Sequence, residues 1–474
     1  MRILVAIALS LCCFAVGAQP SNGMDEFLDQ WLEQPNLSEA SVGFYAVDIN
    51  SGDVLADHRG NKAMIPASLM KIPATIAALH TLEGDFRFET SLSYHGHLEN
   101  GVLTGDLVLR GSGDPTFGSA RIGKSADALL EAFASAIKQA GITKVEGNLV
   151  LDNTAFTPHV PDTWAWHDLT NYYAAIPHPL NFLDNQFSIF FKTGEVGSAA
   201  VLKYVSPMIP GVKLEHDVVA ADIRNDQTYC YGDPTGDKIR VKGALPAKRE
   251  NYEVKAAIPD PGRFFAIRLM ESVQQSGVEW KGDVEHSSLS ATNGGKELIR
   301  HTSPTLAEIV EEVNFHSINL YAEALGVALS EKFSDVPRTE VLKNFWSEKA
   351  GIDTRGFRPE DASGLSHYTT ITAKQLTDML HWVYHSDNGK GWMLSLPQAG
   401  LNGTLRSFGK GTPLEGNLRA KSGYMTSNRG YAGVLNARSG KMVAFAVMVN
   451  HFEASPATIK SELEKLIVAL YESN

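Results

Sequence analysis

The sequence predicts an α+β fold in which an antiparallel sheet is flanked by helices, joined to an all-helical part and interrupted by a long insertion. Alternating apolar residues predict two strands near the N-terminus and three near the C-terminus, at 42–47, 54–57, 419–422, 429–436 and 441–450. Helical periodicity occurs between these groups, at 306–332 and 373–384. We therefore expect one sheet to form from both ends of the chain, with the helical part folded between them.

Helices are also predicted at both termini of the folded chain. Residues 24–34 form a short helical stretch that Pro35 ends. Ser455-Pro456 begins a longer stretch with apolar residues on one face, because serine caps a helix and proline is tolerated in its first turn. The other face of this C-terminal stretch carries charges of both signs, which favours packing on the sheet over lying on a membrane.

A repeated pattern marks the insertion. A helical stretch, a glycine and a strand follow one another twice, at 128–150 and at 264–284. The residues 187–254 between them have strand and turn character, with many Gly, Pro and Asp. Two similar halves around a third segment predict an inserted domain that itself carries an insertion. The predicted division is a signal peptide at 1–18, a main domain at 19–86 and 296–474, a first inserted domain at 87–186 and 255–295, and a second at 187–254.

Length and composition limit the possible functions. The 474 residues are too many for one compact core, so two or three domains are expected. The apolar fraction of 43% and the charged fraction of 20% are those of an ordinary folded protein rather than a disordered chain or a membrane bundle. The net charge of −12 argues against nucleic-acid binding, which requires a basic face.

The N-terminus has the pattern of a secretory signal peptide. Arg2 precedes an apolar run at 3–16 that is too short to span a bilayer, and small residues at 16–18 form a cleavage site. We therefore expect secretion to the periplasm, with no transmembrane segment further along. Removal of the signal leaves Cys230 alone, so no internal disulfide is possible, and its polar surroundings predict an unreactive thiol.

The catalytic hypothesis begins with a serine and a lysine one helical turn apart. A serine hydroxyl needs a base within hydrogen-bond distance, and a desolvated lysine can serve as that base. The pattern Ser-x-x-Lys occurs three times, beginning at Ser68, Ser135 and Ser407. Ser68 follows a hairpin and opens an apolar helix, whereas Ser135 lies in the middle of a helix and Ser407 in a glycine-rich loop. Ser68 and Lys71 are therefore the predicted pair.

Enzymes with a catalytic Ser-x-x-Lys pair also carry a Ser-Asp-Asn motif and a Lys-Thr-Gly motif. Literal copies of both motifs occur in this chain, but they lie in unsuitable places. Ser-Asp-Asn at 386–388 follows a helix as a plain turn, and Lys-Thr-Gly at 192–194 precedes every candidate for the second motif. Ser317 and Asn319 lie instead in an apolar helical stretch, where polar side chains require partners. The 421–423 segment leads into the C-terminal strands, where an edge can align a substrate backbone. The ordered set Ser68, Ser317 and Lys421 is therefore preferred.

With these motifs the chain resembles the class C low-molecular-mass penicillin-binding proteins, the D-Ala-D-Ala carboxypeptidase/endopeptidase family. The resemblance covers nearly the whole mature chain and includes further motifs at 105–107, 111–115, 166–169, 361–366, 396–397 and 403–405. It implies a transpeptidase-like domain with two nested insertions, action on peptidoglycan stem peptides, and β-lactams as inhibitors. It implies neither a metal nor an organic cofactor.

The resemblance also implies a role for each matching position. Ser68 would attack the D-Ala-D-Ala carbonyl, Lys71 would be the base, and Ser317 would relay the proton to the leaving amine. The other implied contacts are Asn319 to the substrate backbone, Lys421, Ser422 and Gly423 around the terminal carboxylate, the N–H groups of Ser68 and Tyr424 as the oxyanion hole, and Asp168 to the side-chain ammonium of diaminopimelate.

Several positions depart from the family pattern. Ile318 replaces the usual Asp of the second motif, and Ser422 replaces the usual Thr of the third. His367 stands where such proteins often have Arg, and Thr426 where Gln is common. These changes concern recognition of the stem peptide more than the chemistry.

Two other functions remain open from the sequence. A β-lactamase of class A would carry a Glu three residues before Leu180-Asn181, where this chain has Pro177. A peptidoglycan-binding protein without turnover would keep the fold and lose the catalytic set. The complete set of Ser68 and its partner residues argues against that reading.

Overall fold

A computed structural model describes residues 23–287, 295–333, 336–387 and 389–474. The predicted signal peptide at 1–18 lies outside these ranges. The α-helices in the described residues are α1 (Gly23–Leu32), α2 (Lys71–Leu82), α3 (Ala126–Gln139), α4 (Pro261–Gln275), α5 (Leu306–His316), α6 (Asn319–Glu331), α7 (Arg338–Asn344), α8 (Ala373–Tyr384), α9 (Gly389–Ser395) and α10 (Pro456–Ser473). None of them combines the length and apolarity that crossing a membrane requires.

The strands of the described residues fall into five sheets. In chain order they are β1 (Ser41–Asp48), β2 (Val54–His58), β3 (Ala63–Met64), β4 (Glu89–Glu99), β5 (Val102–Gly111), β6 (Lys144–Val145), β7 (Leu149–Asp152), β8 (Gln186–Lys192), β9 (Val201–Ser206), β10 (Lys213–Ala221), β11 (Gln227–Gly232), β12 (Lys238–Pro246), β13 (Tyr252–Ala257), β14 (Glu279–Trp280), β15 (Val284–Ser287), β16 (Lys296–Thr302), β17 (Ile371–Thr372), β18 (Leu418–Met425), β19 (Asn428–Asn436) and β20 (Met442–Asn450).

The central sheet is built from both ends of the chain, as the sequence predicts. Its order is β18-β19-β20-β1-β2, and every neighbouring pair is antiparallel. Alternate residues of β1 face opposite sides of the sheet. Tyr45 and Val47 belong to the core shared with the helical part, whereas Phe44 and Ala46 belong to the core beneath α1 and α10. The α+β prediction, with terminal helices on the sheet, is confirmed.

The helical part surrounds α2, which is buried along almost its whole length. Residues 71–79 of α2 are all buried, which is typical of a helix that is enclosed on every side. The stretch predicted as helical at 306–332 is two helices, because Ser317 adopts a left-handed φ of 61° and ends α5. At the other end of α5, Thr305 caps the helix and exchanges hydrogen bonds with Glu308, which fixes where α5 begins.

The insertion contains the largest sheet of the molecule. Five of its strands run in the order β14-β6-β5-β4-β16, and β7 joins β5 to β15. The two repeats found in the sequence pair with each other in parallel, β14 with β6 and β15 with β7, and α3 packs on α4. The segment 187–254 adds two three-stranded sheets, β10-β12-β11 and β13-β8-β9.

Strand β16 (Lys296–Thr302) directly follows the predicted domain boundary at 295. β16 extends to Thr302 and pairs with β4, so its residues belong to the inserted sheet although the predicted boundary lies at 295. Phe88 and Ser303 then exchange hydrogen bonds, with the Ser303 N–H donating to the Phe88 carbonyl at 3.0 Å. The points at which the chain enters and leaves the insertion therefore lie side by side. This favours a domain boundary at Ser303. The division into domains itself stays a prediction.

Candidate active site

Ser68 lies in a short 3-10 helix, Ala67–Met70, that continues directly into α2. Lys71 is the first residue of α2, and its Nζ donates a hydrogen bond of 2.9 Å to Ser68 Oγ. Ala67 has a φ of 47°, a left-handed conformation that alanine rarely adopts and that neighbouring contacts must therefore maintain. Ser68 is partly exposed while Lys71 is fully buried, so a substrate can reach the hydroxyl while the amine is shielded from solvent.

Two more acceptors fix the position of the Lys71 amine. Its Nζ donates to Asn319 Oδ1 at 2.6 Å and to the Ser363 carbonyl at 2.8 Å. The loop of Ser363 is in turn held by Glu323, whose Oε1 accepts the N–H groups of Ala362 at 3.2 Å and Ser363 at 2.8 Å. A buried carboxylate on α6 thus positions the loop that positions the lysine.

Burial determines the electrostatics of the site. It lowers the pKa of Lys71 to about 7, although the charges of Glu323 and Asp361 act to raise it. Burial, assisted by the Lys71 charge, also holds the pKa of Lys421 well below its usual value. Burial and the charge of Asp361 raise the pKa of Glu323. The amine of Lys71 can therefore lose a proton near neutral pH, which a general base requires.

This lowered pKa predicts the pH dependence of acylation. Because only the neutral amine of Lys71 can accept the Ser68 proton, we expect the second-order rate of acylation by penicillin to fall about tenfold for each pH unit below 7 and to level off above it. Stopped-flow measurement between pH 5 and 9 tests this, with far-UV circular dichroism at each pH as the control for folding. A rate that stays constant from pH 5 to 7 would contradict the prediction.

A second serine and lysine approach from distant parts of the chain. Ser317 lies in the turn between α5 and α6, and Lys421 lies on β18. The Lys421 Nζ donates to Ser317 Oγ at 2.8 Å and to the Ser422 carbonyl at 2.8 Å. The expected helical setting of Ser317 is wrong in detail, since this residue occupies the break between two helices. Because the backbone of Ser317 is left-handed, its side chain is oriented differently from those of the neighbouring helical residues.

Two glycines permit the close approach of these segments. A Cβ atom at Gly423 on β18 would lie 2.5 Å from the Pro66 carbonyl oxygen, just before the nucleophile turn. Gly364 has a φ of 79°, and a Cβ there would overlap the Ala67 carbonyl oxygen. Strand β18 and the 361–366 loop can therefore pack against the turn of Ser68 only because both positions lack a side chain.

The third motif forms the open end of the site. Ser422 Oγ donates to Thr404 Oγ1 at 3.0 Å, and the Thr404 side chain is exposed. Tyr424 is 51% exposed, with the Arg429 guanidinium 5.2 Å from its ring centre. Thr426 is exposed in the turn between β18 and β19, beyond the end of the strand. Thr404 is thus a polar neighbour of the third motif that was not among the predicted site residues.

Asp168 lies in the inserted part and connects to the second motif. Its Oδ1 accepts a hydrogen bond of 2.9 Å from the Tyr173 hydroxyl and lies 3.7 Å from His167 Nε2. The Tyr173 carbonyl accepts a 2.8 Å hydrogen bond from Asn319 Nδ2. Asp168 is therefore joined through one residue to the side chain that contacts Lys71. His367 is partly exposed in a turn of the helical part.

The rejected serine and lysine pairs have structural contacts of their own. Ser135 and Lys138 lie on α3, and Lys138 Nζ donates to the Ser276 carbonyl at 3.1 Å. Ser407 Oγ accepts a 2.8 Å hydrogen bond from Lys460 on the C-terminal helix. These contacts join surface segments to each other, so the preference for Ser68 fits the geometry.

The literal copies of the other motifs are likewise remote from Ser68 in their contacts. Lys192 ends β8 and pairs with Glu250 at 2.9 Å. Ser386 follows α8 and donates to the Val383 carbonyl at 2.7 Å. Asn388 lies outside the described residues. Within the residues that the structure describes, neither copy contacts the Ser68 site.

The sequence reasoning missed the buried acids behind Lys71. Glu323 follows Ala322 in an otherwise apolar part of α6, and a charged residue at such a position is a usable signal of a polar partner. Asp361 Oδ2 accepts the Trp164 indole N–H at 2.9 Å and the Ser366 N–H at 2.7 Å. Its loop was noted only as a matching motif, because nothing local reveals that these residues fold around one carboxylate.

A nucleophilic serine beside a desolvated lysine, on a helix packed against an antiparallel sheet, defines the penicillin-recognising class of serine acyl-transferases. The described architecture places the present protein in that class. A family model for the D-Ala-D-Ala carboxypeptidase 3 (S13) family matches residues 24–470, and the chain belongs to this family.

Relatives of known description support the assignment over nearly the full length. The chain is 27% identical over 454 residues to the D-alanyl-D-alanine carboxypeptidase DacB of Haemophilus influenzae, covering 94% of this chain and 92% of that protein. It is 28% identical over 463 residues to a D-alanyl-D-alanine carboxypeptidase of an Actinomadura species, covering 92% and 82%. The crystal structure of penicillin binding protein 4 from Haemophilus influenzae superimposes with a TM-score of 0.81 at 25% identity, covering 94% of this chain and 99% of that one.

Proposed function

We propose that this protein is a secreted serine D-Ala-D-Ala carboxypeptidase, with D,D-endopeptidase activity at the same site, that acts on peptidoglycan stem peptides through an acyl-enzyme on Ser68. The observation that carries the proposal is the 2.9 Å contact between Ser68 Oγ and the amine of Lys71, whose pKa burial lowers to about 7. Family membership and the named relatives supply the substrate class.

In the first step, Lys71 accepts the hydroxyl proton while Ser68 Oγ attacks the carbonyl carbon of the penultimate D-alanine. The N–H groups of Ser68 and Tyr424 stabilise the negative charge on the carbonyl oxygen. The C–N bond then breaks, and the leaving amine takes a proton through Ser317, which the Lys421 amine contacts at 2.8 Å. A water molecule attacks the ester in the second step and regenerates Ser68.

Recognition of the substrate divides among the remaining residues. Lys421 and Ser422 bind the terminal carboxylate, with Gly423 leaving room for the substrate strand beside β18. Asn319 holds the substrate backbone while its own Oδ1 orients Lys71. Asp168 receives the ammonium of the stem-peptide side chain. The hydroxyl of Thr404, 3.0 Å from Ser422 Oγ, extends the polar surface at the carboxylate end.

The two alternative functions have less support. Pro177 occupies the position of the deacylating Glu of a class A β-lactamase. The following Asn181 is fully buried and donates to the carbonyl groups of Gly113 and Asp114, which is a structural use. A protein that only bound peptidoglycan would have no need for a buried lysine beside a partly exposed serine. We therefore favour an active and penicillin-sensitive hydrolase.

Export through the predicted signal peptide would bring the enzyme to its substrate. Two observations support a periplasmic location: the N-terminal sequence pattern, and the similarity of the chain to D-alanyl-D-alanine carboxypeptidases. Peptidoglycan is assembled outside the cytoplasmic membrane, so an exported enzyme is the consistent interpretation.

Peptide mapping of the penicillin-treated wild-type protein tests the proposed function. One penicilloyl group is expected, on the peptide that contains Ser68, because only this serine of the three Ser-x-x-Lys copies contacts a lysine amine of its own motif among the described contacts. A parallel assay should detect D-alanine released from a peptide that ends in D-Ala-D-Ala. A penicilloyl group on Ser135 or Ser407, or no modification at all, would contradict the proposal.

A further inference from the structure

The strand β11 of the inserted segment 187–254 has an edge that faces the loop of Asp168. It is the outer strand of the sheet β10-β12-β11. An edge strand carries N–H and C=O groups that need partners other than a neighbouring strand. Here the peptide groups of Cys230, in the middle of β11, hydrogen-bond to side chains of the loop that contains Asp168.

Thr170 and Asn171 hold Cys230 from both sides of its peptide unit. The Thr170 hydroxyl donates to the Cys230 carbonyl at 2.6 Å, and the Cys230 N–H donates to Asn171 Oδ1 at 3.0 Å. Both side chains are buried, with 1% and 4% of their surface exposed. Thr170 has a φ of 66°, so the loop turns sharply at the point where it meets β11. Asn171 also donates to the Asp168 carbonyl at 2.9 Å.

The same strand presents an aromatic side chain next to Asp168. The Tyr229 ring meets the His167 ring edge to face, with centroids 5.4 Å apart. Burial and the charge of Asp168 raise the pKa of Tyr229, and the Tyr424 hydroxyl adds a smaller effect in the same direction. The Tyr229 side chain is only partly buried. Tyr229 therefore packs on the residue that precedes Asp168 and keeps part of its surface available for contact.

The contacts of the loop reach the catalytic lysine in three steps. Tyr173 donates its hydroxyl to Asp168, its carbonyl accepts the Asn319 amide, and Asn319 accepts from Lys71. A displacement of the 167–173 loop would consequently shift both the ammonium-binding carboxylate and a ligand of the base. The insertion is thus connected to the chemistry by direct hydrogen bonds rather than by proximity alone.

We propose that β11 forms one wall of the side-chain subsite, with Tyr229 contacting an aliphatic substrate side chain that ends in an ammonium group and Thr170 and Asn171 positioning the loop of Asp168. This inference rests on the proposed function, in which Asp168 receives that ammonium. A carboxylate and a neighbouring aromatic face together attract a cation more strongly than either alone. The segment 187–254 is then a specificity element of the active site and not a separate module.

Tyr229→Ala is the first test of this inference. Two peptides ending in D-Ala-D-Ala are compared, one with a free side-chain ammonium before the D-alanines and one with that amine acetylated. We expect kcat/KM for the ammonium peptide to fall about tenfold, mainly through KM, with a change below about twofold for the acetylated peptide. Tyr229→Phe should retain most of the preference, because it keeps the aromatic face.

Tyr204→Ala is the matched control. Tyr204 lies in the same inserted segment, on β9, where it is 46% exposed and stacks on Phe190 with centroids 4.5 Å apart. This variant should leave the preference between the two peptides unchanged. Equal losses on both peptides for Tyr229→Ala, or the same loss of preference for Tyr204→Ala, would overturn the inference.

Thr170→Val tests the positioning role of the loop contact. Valine keeps the shape of the side chain but removes the hydrogen bond to the Cys230 carbonyl, so we expect KM for the ammonium peptide to rise about fivefold while Thr170→Ser restores it. Acylation of Ser68 by penicillin, which lacks such a side chain, is measured in parallel and should stay within about twofold of the wild-type rate in Tyr204→Ala. Normal penicillin acylation with an unchanged peptide preference would defeat this inference alone, whereas failure of the wild type to acylate would defeat the proposed function.

Discussion

Replacing Ser68 by alanine is expected to abolish both the penicillin adduct and the release of D-alanine. The variant lacks the hydroxyl oxygen that forms the ester bond of the acyl-enzyme. The Lys71 amine, whose Nζ lies 2.9 Å from Ser68 Oγ in the wild type, then has no hydroxyl proton to accept. Loss of the nucleophile in serine hydrolases lowers turnover by about 10⁴-fold or more, so residual activity should lie near the detection limit. Intact-mass analysis after incubation with penicillin measures the adduct directly.

Ser407→Ala and Ser135→Ala are the controls that the chain itself offers. Each removes a serine from another Ser-x-x-Lys copy, and each serine lies on a segment with its own structural contacts. Both variants should form the adduct at the wild-type rate. An adduct that persists in Ser68→Ala, or that disappears in either control with the fold intact, would show that the nucleophile has been misassigned.

The candidate catalytic set could be chosen from the sequence because its residues occur on recognisable elements. Ser68 opens an apolar helix after a hairpin, and Lys421 lies on a strand of the C-terminal group, so element type separated the preferred motifs from their literal copies. Period and turn signals also predicted an antiparallel sheet formed from both ends of the chain. What the pattern could not provide was the break at Ser317, because a left-handed turn between two apolar helices leaves the same periodicity as one long helix.

The residues that the sequence did not identify as part of the site escaped notice for one physical reason. Glu323, Asp361 and Thr404 act through backbone groups and side chains that are far from them in sequence, and such contacts depend on how segments pack. The contact of Thr170 with Cys230 crosses from the first part of the insertion to the segment nested inside it. Local propensity carries no information about these pairings. The pairing of β16 with β4 likewise joins segments from opposite ends of the insertion.

Lys71→Met should lower the rate of Ser68 acylation by between about 10²-fold and 10⁴-fold. Methionine fills similar space in the buried position but has no amine to accept the hydroxyl proton, so acylation loses its general base. The rise of the rate with pH through about 7 should vanish together with the group that produces it. Stopped-flow acylation by penicillin between pH 5 and 9 measures both effects in one experiment.

The buried setting of Lys71 decides how this variant is interpreted. Its amine is held by Asn319 and the Ser363 carbonyl, so its loss leaves acceptors unpaired as well as removing the base. Lys138→Met, in the exposed Ser-x-x-Lys copy on α3, is the matched control and should acylate normally. A Lys71→Met variant that melts like the wild type and still acylates with the wild-type pH profile would exclude Lys71 as the base. The hydroxyl proton of Ser68 would then have to pass through Ser317 to Lys421, the other desolvated amine of the site.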